Sequence, residues 1–355
     1  MPNPAPATIH RNDPAFTIWN GDSRDVLKQL DDNSVDHILC DPPYEIDFTR
    51  QQRGVAWDRS GIAFDVDLWR EAFRVLKPGG NLIAAGATRT YHRLAVAIED
   101  AGFEIKDSIN WIYGQGMPLG SVDVAKALRK AGHDEAAEQH EGHETRLKPA
   151  HEPWVVAQKP LDGRVIENVL EWGTGFMNID AVRIPTDEDR SRRNGDSAAS
   201  TWKVERSTER TESHDGGRWP TNILLGHAPE CVEDGDCVSH CPVQQIRETS
   251  RKSDTSRYFP AFHYASKARG AERPMKGSKD EHSTMKPIAL MRWLVQLVAL
   301  PGQTVLDLFL GSGTTAEACI DNGVNVIGIE LEAKNMPAID ERIDRALARK
   351  ALAAA

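Results

Sequence analysis

The spacing of apolar and polar positions changes repeatedly between residues 15 and 130. "FTIWNGDS" predicts a short strand ending in a turn. "SRDVLKQL" has helical spacing, with Ser23 as the expected N-cap. "SVDHILC" reads as a buried strand. "DLWREAFRVLKPGG" predicts an amphipathic helix closed by Pro78-Gly79-Gly80. "NLIAAGA" is a strand, "TRTYHRLAVAIEDAG" a helix stopped at Gly102, and "FEIKDSINWIYG" a strand. This order implies a largely parallel sheet with right-handed crossovers.

The pattern then loosens. Residues 121–145 begin helically and turn polar and His/Glu-rich, which reads as a solvated excursion rather than a metal site. "EPWVVAQKPL" returns to a strand. From Gly163 to about Lys279 the alternation fails, and residues 186–218 have too little apolar content to bury much surface. Between Ile246 and Lys276 basic residues outnumber acidic ones, with Tyr258, Phe259, Phe262 and Tyr264 interleaved. Such a stretch suits a groove for a polyanion, with rings as stacking platforms. The regular pattern resumes in "TMKPIALMRWLVQLVAL", a helix with Pro287 near its first turn. A strand, a glycine-rich turn and helix, another strand and a final helix follow.

Composition narrows the class. At 355 residues, with 40% hydrophobic and 27% charged positions, the chain has the make-up of a globular protein with one large domain and a smaller one or an insertion. No apolar run reaches the length of a membrane span, the N-terminus lacks a signal pattern, and the five cysteines are an odd number. The cytoplasm is the expected compartment. The net charge of −10 weighs against a nucleic-acid partner on its face, but a local basic groove is compatible with it.

Three constellations carry chemistry. Asp41-Pro42-Pro43-Tyr44 stands directly after the buried strand "VDHILC". Two prolines cannot continue a central strand, so this is a rigid turn at the carboxyl edge, where ligands bind in open α/β sheets. The second is "TVLDLFLGSGTTAEACIDNGVNVIGIE". Gly311 and Gly313 admit a ligand to the helix N-terminus, and Glu330 at the next strand's end suits ribose hydroxyls. The loop alone leaves NAD open, because Ala316 is tolerated in a dinucleotide fingerprint. The third is "GHAPECVEDGDCVSHC". His227, Cys231, Cys237 and Cys241 are separated by three, five and three residues, a spacing that a structural zinc can use, with His240 as a substitute for His227. The alternative is unbridged thiols on a surface loop.

"DPPY" and "LDLFLGSGTT" in one chain resemble the amino-group DNA methyltransferases that use S-adenosylmethionine. With DPPY first, then a long irregular region, "HSTMKP" and the glycine loop, the order is similar to the β class of prokaryotic and phage members. "FHYASKARGAER" and "GTGFMNIDAVRI" add to the likeness, and Ser283 departs from it where members often carry proline. The resemblance implies a Rossmann-like class I methyltransferase sheet of α/β type, circularly permuted, with a target-recognition insertion. Residues 15–162 would form the catalytic half, 163–280 the recognition insertion and 281–350 the cofactor half. It implies S-adenosylmethionine bound by Asp22, Thr284, Lys286, Asp307, Phe309, Gly311, Ser312, Gly313, Thr314 and Glu330. Asp22 would reach the adenine ring, with a place beside the N-cap of the first helix as the alternative, and Thr284 and Lys286 would reach the methionine carboxylate. Arg251, Lys252, Arg257, Lys267 and Arg269 are the expected DNA contacts. The partner is double-stranded DNA, no membrane is involved, a homodimer is compatible with the family, and a restriction–modification setting is implied.

The tetrapeptide fits that chemistry. An exocyclic amine is a poor nucleophile because its lone pair is delocalised into the ring. Asp41 can accept one N–H and the Pro42 carbonyl the other, which favours a pyramidal nitrogen. Tyr44 can stack on a base swung out of the duplex. Asp at position 41 points to N6 of adenine as a family tendency, with N4 of cytosine as the alternative. A non-catalytic DNA-binding module and an RNA or protein-glutamine methyltransferase are further rivals. The intact motifs, their permuted order and the long insertion favour the DNA enzyme.

Overall fold

The computed structural model describes residues 6–46, 56–113, 121–186, 192–193, 210–211, 216–228, 230–231, 237–249, 254–263, 274 and 285–354. Its strands are β1 (Thr8–Asp13), β2 (Phe16–Asn20), β3 (His37–Cys40), β4 (Asn81–Ala85), β5 (Glu104–Ile112), β6 (His151–Gln158), β7 (Arg192–Arg193), β8 (Arg210–Thr211), β9 (Ile223–His227), β10 (Ala261–His263), β11 (Thr304–Asp307) and β12 (Asn325–Glu330). The helices are α1 (Ser23–Leu27), α2 (Val66–Val75), α3 (Tyr91–Asp100), α4 (Val124–Lys130), α5 (Asp134–Gln139), α6 (Val165–Trp172), α7 (Pro242–Thr249), α8 (Ile288–Val298), α9 (Thr314–Asp321) and α10 (Met336–Ala354).

One sheet runs in the order β1-β2-β12-β11-β3-β4-β6-β5-β9-β10, and β7 and β8 form a separate ribbon. From β2 to β4 neighbouring strands are parallel, and β6 is antiparallel to both β4 and β5. The expected strand after "HE" is therefore present, but reversed. Strand direction is set by how the connection crosses the sheet, which periodicity does not encode. The segment β11-β12-β2 is assembled from both ends of the chain. β9 pairs parallel with β5, and β10 parallel with β9, so part of the irregular region extends the sheet.

Period-2 alternation splits the central strands between two cores. Leu39 and Ile83 face the core built by α8, α9 and α10. Ile38, Cys40, Leu82 and Ala84 face Leu68, Trp69 and Ala72 of α2 and Leu94 and Ile98 of α3. Helices thus cover both faces, the Rossmann-like arrangement. A small third cluster lies under α7: Leu225, Ala228, Cys231, Cys241 and Val243. α4 and α5 form a mostly exposed excursion, as their polarity predicts. Among the described residues no helix is long and apolar enough to cross a membrane.

Candidate functional site

β3 and β11 are adjacent and parallel, with Val305 opposite His37 and Leu306 opposite Ile38. From β11 the chain builds outward through β12, and from β3 through β4, so this pair is the topological switch point of the sheet. Both sequence motifs leave from here: Asp41–Tyr44 after β3, and residues 308–313 after β11. The negative charge of Asp41 contributes to raising the Asp307 carboxyl, so the two acids sense each other.

At the tetrapeptide, Asp41 Oδ2 accepts a hydrogen bond from Lys286 Nζ at 2.6 Å. The other oxygen, Oδ1, is buried and has no donor among the described residues. An unpaired buried acceptor costs on the order of 1–3 kcal/mol, which an incoming N–H would recover. The Lys286 ammonium also donates to Tyr44 Oη at 3.0 Å and lies 3.5 Å from Glu152 Oε1. It sits over the Tyr44 ring, 5.2 Å from its centroid, with the Trp154 ring at 5.8 Å. Burial alone would lower the Lys286 pKa, but Asp41 and Glu152 outweigh it and push it up to about 12. Burial raises the Glu152 carboxyl, partly offset by the Lys286 charge. Burial also raises the Tyr44 phenol, which is neutral as a result.

The turn is held rigidly. Thr90 Oγ1 donates to the Tyr44 carbonyl at 2.8 Å. The next residue, Glu45, has φ +53°, uncommon for a residue with a side chain, and its amide donates to buried Asp58 at 2.9 Å. Residues in this region cluster at functional sites, where surrounding structure holds them.

The glycine loop is equally fixed. Asp307 is buried, which raises its carboxyl to about 7 against the opposing hydrogen bonds from Thr315 and the Phe309 amide. Phe309 packs, half-buried, against the α2–α3 core. Gly313 has φ +85° and precedes α9; a Cβ there would meet Ile339 Cα at 3.1 Å. Glycine at 313 is thus required by backbone conformation and by the packing of α10, a different reason from the ligand approach expected of it. Gly311 is also left-handed, at φ +56°. Ser312 and Thr314 are buried, their hydroxyls 3.3 Å apart. Glu330 Oε2 accepts from the Gly311 amide at 2.8 Å, and Oε1 from the Glu332 amide at 2.8 Å and Asn335 Nδ2 at 2.9 Å. A carboxylate offers about four lone-pair sites, so Glu330 retains acceptor capacity.

Lys286, expected on the cofactor's carboxylate, donates here to Asp41 and Tyr44. Asp22, rather than Ser23, is the N-cap of α1. Its carboxylate, expected at the adenine ring, accepts from the Arg24 amide and guanidinium. Ser23 Oγ donates to the Leu308 carbonyl at 2.5 Å and braces the glycine loop. Thr284 lies outside the described residues. Glu152 and Trp154 were not singled out by the sequence. Both sit in the plain apolar strand β6, and the only cue was a charge inside it.

Of the expected DNA contacts, Arg251, Lys252, Lys267 and Arg269 lie outside the described residues. Arg257 is described: its guanidinium is 5.0 Å from the centroid of the Tyr258 ring. Arg218 lies over the same ring at 4.7 Å, and Arg183 over Trp219 at 5.5 Å. Trp219 is 65% exposed and Tyr258 39%, whereas Arg183 is largely buried and pairs with Asp180 at 2.8 Å. His227, Cys231, Cys237 and Cys241 converge, and no cysteine of the chain is in a disulfide. Burial pushes the Cys237 thiol up to about 11. Burial also opposes ionisation of Cys241, but amides of Ala228, Gln244 and Val243 outweigh it and its pKa falls.

A family model described as DNA methylase, N6_N4_Mtase, matches residues 35–341. The Type II methyltransferase M.HindIII of Haemophilus influenzae is 24% identical over 349 residues, covering 88% of this chain and 90% of its own. Among solved structures, the M1.HpyAVI–SAM complex is 17% identical with a TM-score of 0.44, covering 92% of this chain and 99% of that one. The cytosine-N4-specific PvuII DNA methyltransferase is 12% identical with a TM-score of 0.48, covering 96% of this chain and 97% of that one.

Proposed function

Since the chain belongs to the N6_N4_Mtase family of DNA methylases, we propose that it is a β-class enzyme that methylates N6 of adenine in double-stranded DNA, with S-adenosylmethionine as donor. The observation that carries this reading is the buried, donor-free Asp41 Oδ1 beside a switch-point glycine loop. The β-class assignment rests on the order of the motifs, with DPPY ahead of the loop. Adenine is favoured by Asp at position 41. The prokaryotic or phage setting follows from the same resemblance.

The residues fit the cofactor. Asp307 and Glu330 are carboxylates at the ends of adjacent strands, and Glu330 keeps capacity for ribose hydroxyls. Phe309, Gly311, Ser312, Gly313 and Thr314 would line the same pocket. S-adenosylmethionine supplies, when bound, an electrophilic methyl group on a sulfonium that is already a good leaving group.

What the chain itself does is position and polarise the amine. Asp41 Oδ1 accepts one N–H of the flipped base, and the Pro42 carbonyl accepts the other. Lys286 donates to Oδ2 and leaves Oδ1 turned to the amine. Glu152, 3.5 Å behind the ammonium, holds Lys286 in place. The fixed Pro42-Pro43 turn and its Thr90 brace hold the carbonyl still, and positioning supplies much of the rate. The Tyr44 ring, already beneath a cation, offers one face to a base.

Residues 163–280 would act as the recognition insertion, with Arg218, Trp219, Arg257 and Tyr258 supplying phosphate and stacking contacts. Asp41→Ala should abolish transfer, by roughly 10³-fold or more, while calorimetry finds cofactor affinity within a few-fold of wild type. Transfer near the wild-type rate would remove Asp41 from the mechanism.

A further inference from the structure

The methyl-transfer site leaves the cysteine cluster without a task. His227 ends β9, Cys231 follows a turn closed by its amide on the Ala228 carbonyl, and Cys241 follows a turn closed on Val238, just before α7. One donor atom from each of His227, Cys231, Cys237 and Cys241 lies within 4.8 Å of every other. His227 Nδ1 is 3.3 Å from the Cys237 sulfur and 3.7 Å from the Cys241 sulfur. A tetrahedral zinc with bonds of about 2.3 Å to sulfur and 2.0–2.1 Å to nitrogen sets its ligands about 3.5–3.8 Å apart. The two distances from His227 lie close to that range, and no pair of the four exceeds 4.8 Å.

We propose that His227, Cys231, Cys237 and Cys241 bind one structural zinc ion that fastens the outer edge of the sheet to the DNA-contacting surface. Three thiolates and an imidazole are the donor set that selects zinc over harder cations. All four positions are filled by protein, so no site is left for a water nucleophile. On binding, the three thiols release three protons to solvent. Zinc with three thiolates and a neutral imidazole carries one negative charge, and the Arg247 guanidinium lies 4.0 Å from the Cys237 sulfur to offset it.

Need and consequence agree. The cluster's apolar neighbourhood is small, with Leu225, Ala228 and Val243 as its buried non-cysteine members. Such a core holds little on its own, and a metal commonly supplies the difference. Arg247 also donates from Nε to Ser256 Oγ at 3.1 Å and pairs with Asp254 at 3.3 Å. Ser256 lies in the turn Thr255–Tyr258, which presents Arg257 and Tyr258. The metal would therefore set the position of those contacts through α7.

The test is the metal content of full-length protein purified without added metal, and its outcome does not depend on the methyl-transfer reading. About one zinc per chain is expected, falling below about a tenth in the double variant Cys237→Ser, Cys241→Ser. Because that variant can misfold, wild-type protein gives a second measurement. An organomercurial should release zinc in step with modification of three thiols, before the core cysteines Cys40 and Cys319 react. Wild-type zinc below about a tenth of an equivalent overturns the site. So does zinc that survives in the folded double variant, or that leaves out of step with the thiols.

Discussion

Asp41 meets the solvent-poor interior of the site with two different oxygens. One is held by Lys286 at 2.6 Å; the other has no donor among the described residues. That asymmetry is what a carboxylate needs to grip an amine without being neutralised by it. The Lys286 ammonium lies between Asp41 and Glu152, and against its burial the two acids push its own pKa up to about 12. Lys286→Met preserves length and removes the charge, so kcat should fall by roughly 10²-fold or more, while the KM for cofactor stays within a few-fold. Steady-state kinetics with kcat unchanged, or with the loss confined to the cofactor's KM, would return Lys286 to the cofactor site where the sequence had placed it. The Asp, the prolines and the tyrosine were legible because they are contiguous. Glu152 and Trp154 were not, because only the folding of β6 between β4 and β5 brings them to residues more than a hundred positions away.

At the scale of elements, the strand–loop–helix of β11 and α9 and the acid ending β12 were readable from local pattern, since each feature is set by neighbours in sequence. The reversal of β6 and the addition of β9 and β10 to the sheet were not, since both depend on long connections. The Asp22 cap shows a finer limit: a carboxylate two residues before a helical amide caps the helix whether or not a ligand is near. The proposed DNA-contacting surface also gathers distant pieces, with Arg218 and Trp219 in one loop and Arg257 and Tyr258 in a 3₁₀ turn. Trp219→Ala should weaken DNA binding by about 1–3 kcal/mol if the ring stacks on a base, with little change in salt slope. Arg218→Gln should lower that slope by roughly one unit. Binding titrations at several salt concentrations separate the two effects, and identical curves for both variants and wild type would place the contact surface elsewhere.

For the whole molecule, the net charge of −10 does not decide the partner, because the Arg218 and Arg257 guanidinium groups flank the partly exposed Tyr258 ring, with exposed Trp219 next in sequence to Arg218. The two ends of the chain meet in β11-β12-β2, and both sequence motifs open at one switch point beneath helices that cover both faces. The first strand is also tied to the last helix, with His10 3.0 Å from Asp340 and Arg11 2.6 Å from Asp344. The most direct measurement is modification-sensitive sequencing of DNA from a methylation-deficient host that expresses either the wild-type chain or Asp41→Ala. N6-methyladenine at one recurring sequence, present with the wild type and absent with the variant, is the predicted result. Unmodified DNA from a host that holds folded wild-type protein, or N4-methylcytosine in place of N6-methyladenine, would contradict it.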